Sequence, residues 1–391
     1  MITNNKSYSK NLVFYAACVG MIFFGVVLIS LGTVLPDITA KFDLNELEAS
    51  SVVLLLPLGV LAGSVVFGPV VDRFGYKVLL IFSSLFSACG LALLGYAGSV
   101  FVLRLAVFVA GFFGGILNGE TNTIVSDISD NDRNSKLSFL AVFFGVGALG
   151  VPFVMRILKS YFSFEIIIAA IAAIMLLFTA TFLFIRFPMP KQPQGFPVKE
   201  GLKLLKQPVL LLLSLVLFFQ SGIEGLTNNW TTTYFEKIEK TSPETALLAL
   251  TLMMAGMTVG RMTVGIILKK VRSYKIVFAG CAIIITGILI LFFVPGAALA
   301  GITLFGLGFA PVFPVILGYI GTIYPDLSGT AFSIAFFIAL IGNTSMNFLM
   351  GVFARYLGMG VFPVILFISV LILSFIFSFV LNKTSLKVRI K

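Results

Sequence analysis

Twelve apolar runs, each long enough to cross a lipid bilayer, follow one another along this 391-residue chain with only short polar breaks between them. About 20 residues of helix span the hydrocarbon core, and in that medium every backbone amide must find its partner within its own segment. A closed barrel would instead show short strands of alternating polarity, and these runs are too long for that. Spans are expected near 12–34, 49–71, 78–97, 99–123, 135–157, 164–186, 209–235, 244–268, 276–294, 297–322, 328–353 and 359–381. A hydrophobic content of 59% with only 11% charged residues exceeds what a soluble core of this size can use. The first run follows a polar start without a small-residue cleavage pattern, so it reads as a retained helix. Cys18, Cys89 and Cys281 all fall inside runs, where they act as packing thiols.

Basic residues set the expected orientation. With both termini in the cytoplasm, Lys41, Arg104, Arg156, Lys159, Lys237, Lys240 and Arg355 lie outside and Arg261 falls within a span. All other lysines and arginines then lie inside, as the positive-inside rule asks. They include Lys6 and Lys10, Lys191, Lys199, Lys203 and Lys206, and Lys383, Lys387, Arg389 and Lys391. The formal net charge of +11 is therefore spread over short loops facing anionic lipid, and nucleic acid is not an expected partner. The longest connection, 187–208, carries Pro188, Pro190, Pro193, Gly195 and Pro197, and its second part, Val198 to Lys206, suits an amphipathic surface helix. It separates an N-terminal six-helix half (1–186) from a C-terminal one (209–391). Two such halves are the arrangement of an alternating-access carrier.

Between the second and third spans stands Gly68-Pro69-Val70-Val71-Asp72-Arg73-Phe74-Gly75-Tyr76-Lys77. It resembles the signature loop of the major facilitator superfamily, G-x-x-x-D-R-x-G-x-K. The resemblance implies an all-α membrane fold of twelve transmembrane helices in two halves, with Asp72 and Arg73 holding a gate. The corresponding stretch of the second half, Gly265 to Lys275, keeps the glycine and the basic residues but has Lys269 where the aspartate would stand. Arg261, about two turns further in, either anchors a gate or snorkels to the surface. Three further stretches resemble the fucose-permease-like sugar:proton symporter group: Asn118-Gly119-Glu120-Thr121-Asn122-Thr123, Glu224 to Trp230 with Tyr234, and Gly308 to Pro314. That group's fucose carrier has an acid in its first span; residues 12–34 here have none.

Glu120 and Glu224 are the carboxylates set well inside the runs, and acids at that depth mark ion or substrate paths. Gln220, Glu224 and Asn228 recur at i, i+4, i+8 and share one helix face. That stripe either bonds a solute, with Glu224 also carrying a proton, or forms an interhelical cluster serving stability alone. Asn118 and Asn122 share a face, but Glu120 is turned about 200° from them, so one regular helix cannot aim all three into one cavity; the resemblance favours Glu120 lining it. Trp230 suits either a sugar ring or an interfacial belt. Asn343 and Asn347 form a second amide pair, with Asn343 the better placed for a solute. Pro311 and Pro314 interrupt the tenth span, as a bending element or a static kink. Gly145, Gly147, Gly150 and Pro152 are read as packing residues, and antiport is not inferred from them.

The chain has no histidine, so a proton carrier near neutral pH is read as a buried carboxylate, with Glu120 and Glu224 as candidates, ahead of a cysteine or lysine; the same acids with Asn122 or Asn228 leave sodium coupling open. No nucleotide-binding loop, metal cluster or nucleophile with its base is present, so no enzyme activity, cofactor or metal is expected. The leading reading is a monomeric secondary transporter in the plasma (inner) membrane, taking up a sugar or similar neutral polar solute with protons. Neutrality rests on the lack of a central basic residue. An exporter of amphiphilic compounds on the same fold is the alternative, which the 42 phenylalanines leave open.

Overall fold

A computed structural model describes residues 8–129, 132–190, 198–294 and 296–383. Lys6, Lys191, Pro193, Gly195, Pro197, Lys387, Arg389 and Lys391 lie outside the described residues. The described chain is helical throughout: α1 (Lys10–Phe42), α2 (Glu46–Phe74), α3 (Tyr76–Tyr96), α4 (Val100–Ile128), α5 (Arg133–Leu158), α6 (Phe164–Phe182), α7 (Val198–Leu204), α8 (Pro208–Lys237), α9 (Pro243–Ile267), α10 (Ser273–Phe293), α11 (Ala298–Phe309), α12 (Val312–Ile323), α13 (Ser328–Leu357) and α14 (Phe362–Lys383). Among the described residues, 12 spans are long and apolar enough to cross a membrane, with α11 and α12 together forming the span Ala298–Ile323. The protein is a multi-pass integral membrane protein.

Local chemistry sets the helix ends. Asn45 Oδ1 accepts from the Glu48 amide at 3.0 Å while the Asn45 amide donates to Glu48 Oε2 at 3.1 Å, closing a capping box at the start of α2. Pro208 and Pro243 occupy first turns, where a missing N–H costs nothing. The tenth span breaks between Phe309 and Val312, at Pro311, as its prolines require. α1 runs to Phe42, beyond the expected end at 34, because its polar last turns find partners. Lys41 pairs with Glu165 at 3.2 Å and Asp37 with Lys159 at 2.8 Å.

The chain divides into two compact units, with the division between Gly201 and Leu202 inside the long connection. Unit 1 comprises 1–128, 143–201 and 324–333; unit 2 comprises 129–142, 202–323 and 334–391. The linear halves expected from sequence do not capture two exchanges. The start of α5 groups with unit 2, and the start of α13 groups with unit 1.

Within each unit the helices cross at glycines because backbone meets backbone there. A Cβ on Gly147 would lie 2.1 Å from the Ile22 carbonyl oxygen, fixing the α1–α5 crossing, and one on Gly342 would lie 2.2 Å from that of Phe218, fixing α8 against α13. Gly150 has open space at the same position. Gly342→Ala should therefore destabilise the protein by about 1–3 kcal/mol, read as a lowered unfolding temperature in detergent, whereas Gly150→Ala should leave it unchanged. Equal tolerance of both would contradict this packing.

Candidate substrate and coupling site

In unit 2, α8 presents the polar stripe expected from its spacing. Gln220 is 1% exposed, while 22% of the Glu224 side chain is exposed. Arg261 of α9 points its guanidinium at this stripe, with Nη2 3.7 Å from Glu224 Oε1. Arg261 is only 7% exposed, so it does not snorkel to a surface. The lack of a central basic residue, on which a neutral solute was argued, is thereby corrected: sequence gives the depth of Arg261 along α9 but not the direction of its head.

The stripe is incomplete. The Arg261–Glu224 separation exceeds the roughly 2.7–3.2 Å of a direct hydrogen bond. Arg261 Nε, Gln220 Oε1 and Asn228 Oδ1 are buried and have no hydrogen-bond partner among the described residues. Each such group costs about 1–3 kcal/mol, more where it is charged. A cluster serving stability alone would close these bonds. This one leaves a donor, Arg261 Nε, and two acceptors, Gln220 Oε1 and Asn228 Oδ1, uncommitted.

Neighbouring amides are better satisfied. Asn347 Oδ1 accepts from Asn229 Nδ2 at 3.0 Å and from Trp230 Nε1 at 3.2 Å, and Asn347 Nδ2 donates to the Asn343 carbonyl at 2.9 Å. Asn343 Nδ2 donates to the Ser221 carbonyl at 3.1 Å. The polar end of Trp230 is thus engaged by protein. Gly225 makes room here, since a Cβ would meet Asn343 Nδ2 at 2.5 Å.

In unit 1, α4 separates its polar residues as helical rotation requires. Asn122 Nδ2 donates to Asn118 Oδ1 at 3.2 Å and to the Asn118 carbonyl at 2.8 Å. Glu120 points the other way, toward α3, where Ser83 Oγ donates to Oε1 at 2.5 Å. It is 1% exposed, and its Oε2 has no partner among the described residues. Sequence reasoning missed Ser83, although Ser83 and Ser87 at i, i+4 were a legible polar stripe. A separate groove of about 240 Å³, among α1, α5 and α6, is lined by residues such as Val19, Ile22, Val151, Ile171 and Phe178 and offers no polar side chain.

The signature loop is tied down at both carboxylates of its neighbourhood. Asp72, 1% exposed, accepts from the Thr330 amide at 3.0 Å and its hydroxyl at 2.7 Å, so a carboxylate meets the positive start of α13. Asp127 accepts from Ser328 Oγ at 2.8 Å and from the Tyr76 hydroxyl. Arg73 lies over the Phe74 ring, 5.0 Å from its centroid, and Lys77 donates to the Leu183 carbonyl at the end of α6 at 2.6 Å. The degenerate echo in unit 2 is held without a carboxylate. Ser138 Oγ donates to the Arg261 carbonyl at 2.6 Å, Ser135 Oγ to that of Gly265, and Asn134 Nδ2 to Ser273 Oγ at 2.7 Å. Tyr76, Asp127, Ser135 and Ser138 were not singled out from sequence; their only signal was a polar residue at the edge of an apolar run.

Ser83→Ala should cost about 1–3 kcal/mol, because it leaves Glu120 wholly unbonded, and close to nothing in a Glu120→Leu background. Thermal unfolding of the four combinations measures this. Equal losses in both backgrounds would show that the serine does not serve the acid.

Comparison with known proteins places this geometry in context. The sequence model of the Major Facilitator Superfamily matches residues 14–343. Sodium-dependent glucose transporter 1 of Rattus norvegicus is 28% identical over 146 residues, 37% of this chain and 30% of that protein. Facilitated glucose transporter member 6 of solute carrier family 2, from Mus musculus, is 29% identical over 137 residues, 33% of this chain and 28% of that protein. The chain thus matches under a third of either relative's length. Among solved structures, the fucose:proton symporter of E. coli superposes with a TM-score of 0.80 at 18% identity, covering 96% of this chain and 99% of that one. A proton:xylose symporter superposes with a TM-score of 0.78 at 16% identity, covering 96% of each. These likenesses fix the fold, which with the family is that of transporters. The chain belongs to the Major Facilitator Superfamily.

Proposed function

We propose that this protein is a secondary active transporter working by alternating access, and that it takes up a sugar or similar polar solute together with protons. The observation that carries this reading is the incomplete stripe of Gln220, Glu224 and Asn228 beside Arg261, where two membrane-spanning helices meet well inside their spans. An acid at that depth, partly exposed and loosely paired, can gain and lose a proton as solute comes and goes. Sugar hydroxyls supply the donors that Gln220 and Asn228 lack. The glucose transporters similar to part of this chain, and the sugar symporters that share its fold, support the solute class.

Coupling is assigned to Glu224 in preference to Glu120, whose carboxyl is turned to Ser83 and shut from solvent. Trp230 and Asn343 on the α8–α13 face, and Asn118 with Asn122 in unit 1, are further candidate solute contacts. Asp72 and Arg261 are assigned to gating through the contacts that pin the starts of α13 and α5, and Arg73 joins them as the neighbour of Asp72 in the signature loop. The charge distribution supports both termini in the cytoplasm and residence in the plasma (inner) membrane. An exporter of amphiphiles has the apolar groove of unit 1 in its favour, but that groove has no polar group to hold a hydrophilic end.

Purified protein in liposomes, tested with labelled fucose, xylose and glucose under an inside-alkaline pH gradient, should accumulate at least one of them; refusal of all three would remove the sugar reading. Glu224→Gln should abolish concentrative uptake while sparing solute exchange and fold. Unchanged accumulation would show that this acid is not the coupling group.

A further inference from the structure

The donor and acceptor inventory of the α8–α9 cluster specifies more than a sugar. Gln220 Oε1 and Asn228 Oδ1 want hydroxyl or amide donors, whereas Arg261 brings a planar fork of N–H donors whose Nε is unbonded and whose Nη2 stands 3.7 Å from its counter-ion. A neutral polyol answers the amides but gives the guanidinium only weak hydroxyl acceptors. A carboxylate answers the fork in its own geometry. We propose that the solute is a hydroxylated monocarboxylate, a sugar acid, whose carboxylate is taken up by Arg261 while Glu224 takes up a proton. This rests on the transporter reading above and narrows its solute class.

Charge balance supplies the coupling. The cluster itself holds one cation and one anion, Arg261 and Glu224. A second carboxylate arriving alone would leave a net buried negative charge, and a proton arriving alone on Glu224 would strand the guanidinium without a counter-ion. Together they are neutral: one proton passes from water to a Glu224 oxygen, the solute carboxylate replaces it beside Arg261, and no covalent bond in the solute changes. Each event therefore favours the other, which is what binding linkage means.

Within unit 2, the helices around this cluster bring no other described charge beside it. α12 and α14 carry none before Lys383, and Tyr319 is the titratable residue of α12. The single charge of α13 is Arg355, near its far end, and Glu236 and Lys237 close α8. Glu244 lies at the opposite end of α9 from Arg261. The start of α5 brings Arg133, which donates to Thr322 Oγ1, and Lys136, paired with Asp132 at 3.2 Å.

The test uses the full-length protein in liposomes with labelled D-glucuronate and D-gluconate beside D-glucose and L-fucose. At least one acid should accumulate under an inside-alkaline gradient with the membrane potential clamped at zero, and a potential alone should drive nothing. Arg261→Gln should lower uptake of that acid at least about tenfold, the loss expected for one charge-assisted bidentate contact. Should that variant fail to fold, competition on the unaltered protein gives the same reading, since neutral glucuronamide should compete at least about tenfold less well than glucuronate. Uptake of neutral sugars with refusal of both acids, or equal competition by the amide, would overturn this proposal and leave the sugar-transport reading standing. Refusal of acids and sugars alike would overturn both.

Discussion

A guanidinium buried within a membrane-spanning helix persists only beside something that balances it, and here that partner is Glu224. The Arg261–Glu224 contact is a loose one: 3.7 Å apart, with one partner buried and the other partly open. A tightly closed, fully bonded pair would be a structural rivet, and the unbonded oxygens of Gln220 and Asn228 would then need another explanation. The looseness joins these observations, because it leaves both ions short of partners where α8 and α9 face each other.

The rest of unit 2 holds that stretch in place. Close crossing at Gly342 sets α13 against α8, and Gly225 leaves room for Asn343 at the level of Glu224. Asn347 then gathers Asn229 and Trp230, so the part of α8 that follows the stripe is fixed by amide bonds rather than by apolar packing alone. On the other side, Ser138 holds the Arg261 backbone through the start of α5. In unit 1 the start of α13 is held by Asp72 and Asp127. Both helix starts that exchange units are thus secured by short polar side chains at the ends of spans, where water is near and such bonds can be remade.

Much of this was legible in the sequence, for physical reasons. Hydrocarbon demands long apolar segments, so span positions followed from composition along the chain, and the i, i+4, i+8 spacing of Gln220, Glu224 and Asn228 gave a shared face without any knowledge of packing. Rotation along α4 likewise separated Glu120 from Asn118 and Asn122. What spacing cannot supply is the neighbour each face meets. Ser83 beside Glu120, Arg261 beside Glu224 and Thr330 beside Asp72 each join separate helices, and their pairing depends on how those helices pack. The extension of α1 past residue 34 was missed for the same reason, because Asp37 and Lys41 read as loop charges until Lys159 and Glu165 answer them.

Transport by alternating access requires that the polar stripe of α8 meet water from each compartment in turn. With Cys18, Cys89 and Cys281 replaced by serine, Asn228→Cys in oriented, sealed liposomes can be challenged with a membrane-impermeant maleimide from either face. Labelling from both faces is the predicted result, with added solute shifting the balance between them. A thiol that reacts from neither face, or from one alone under every condition, would contradict it.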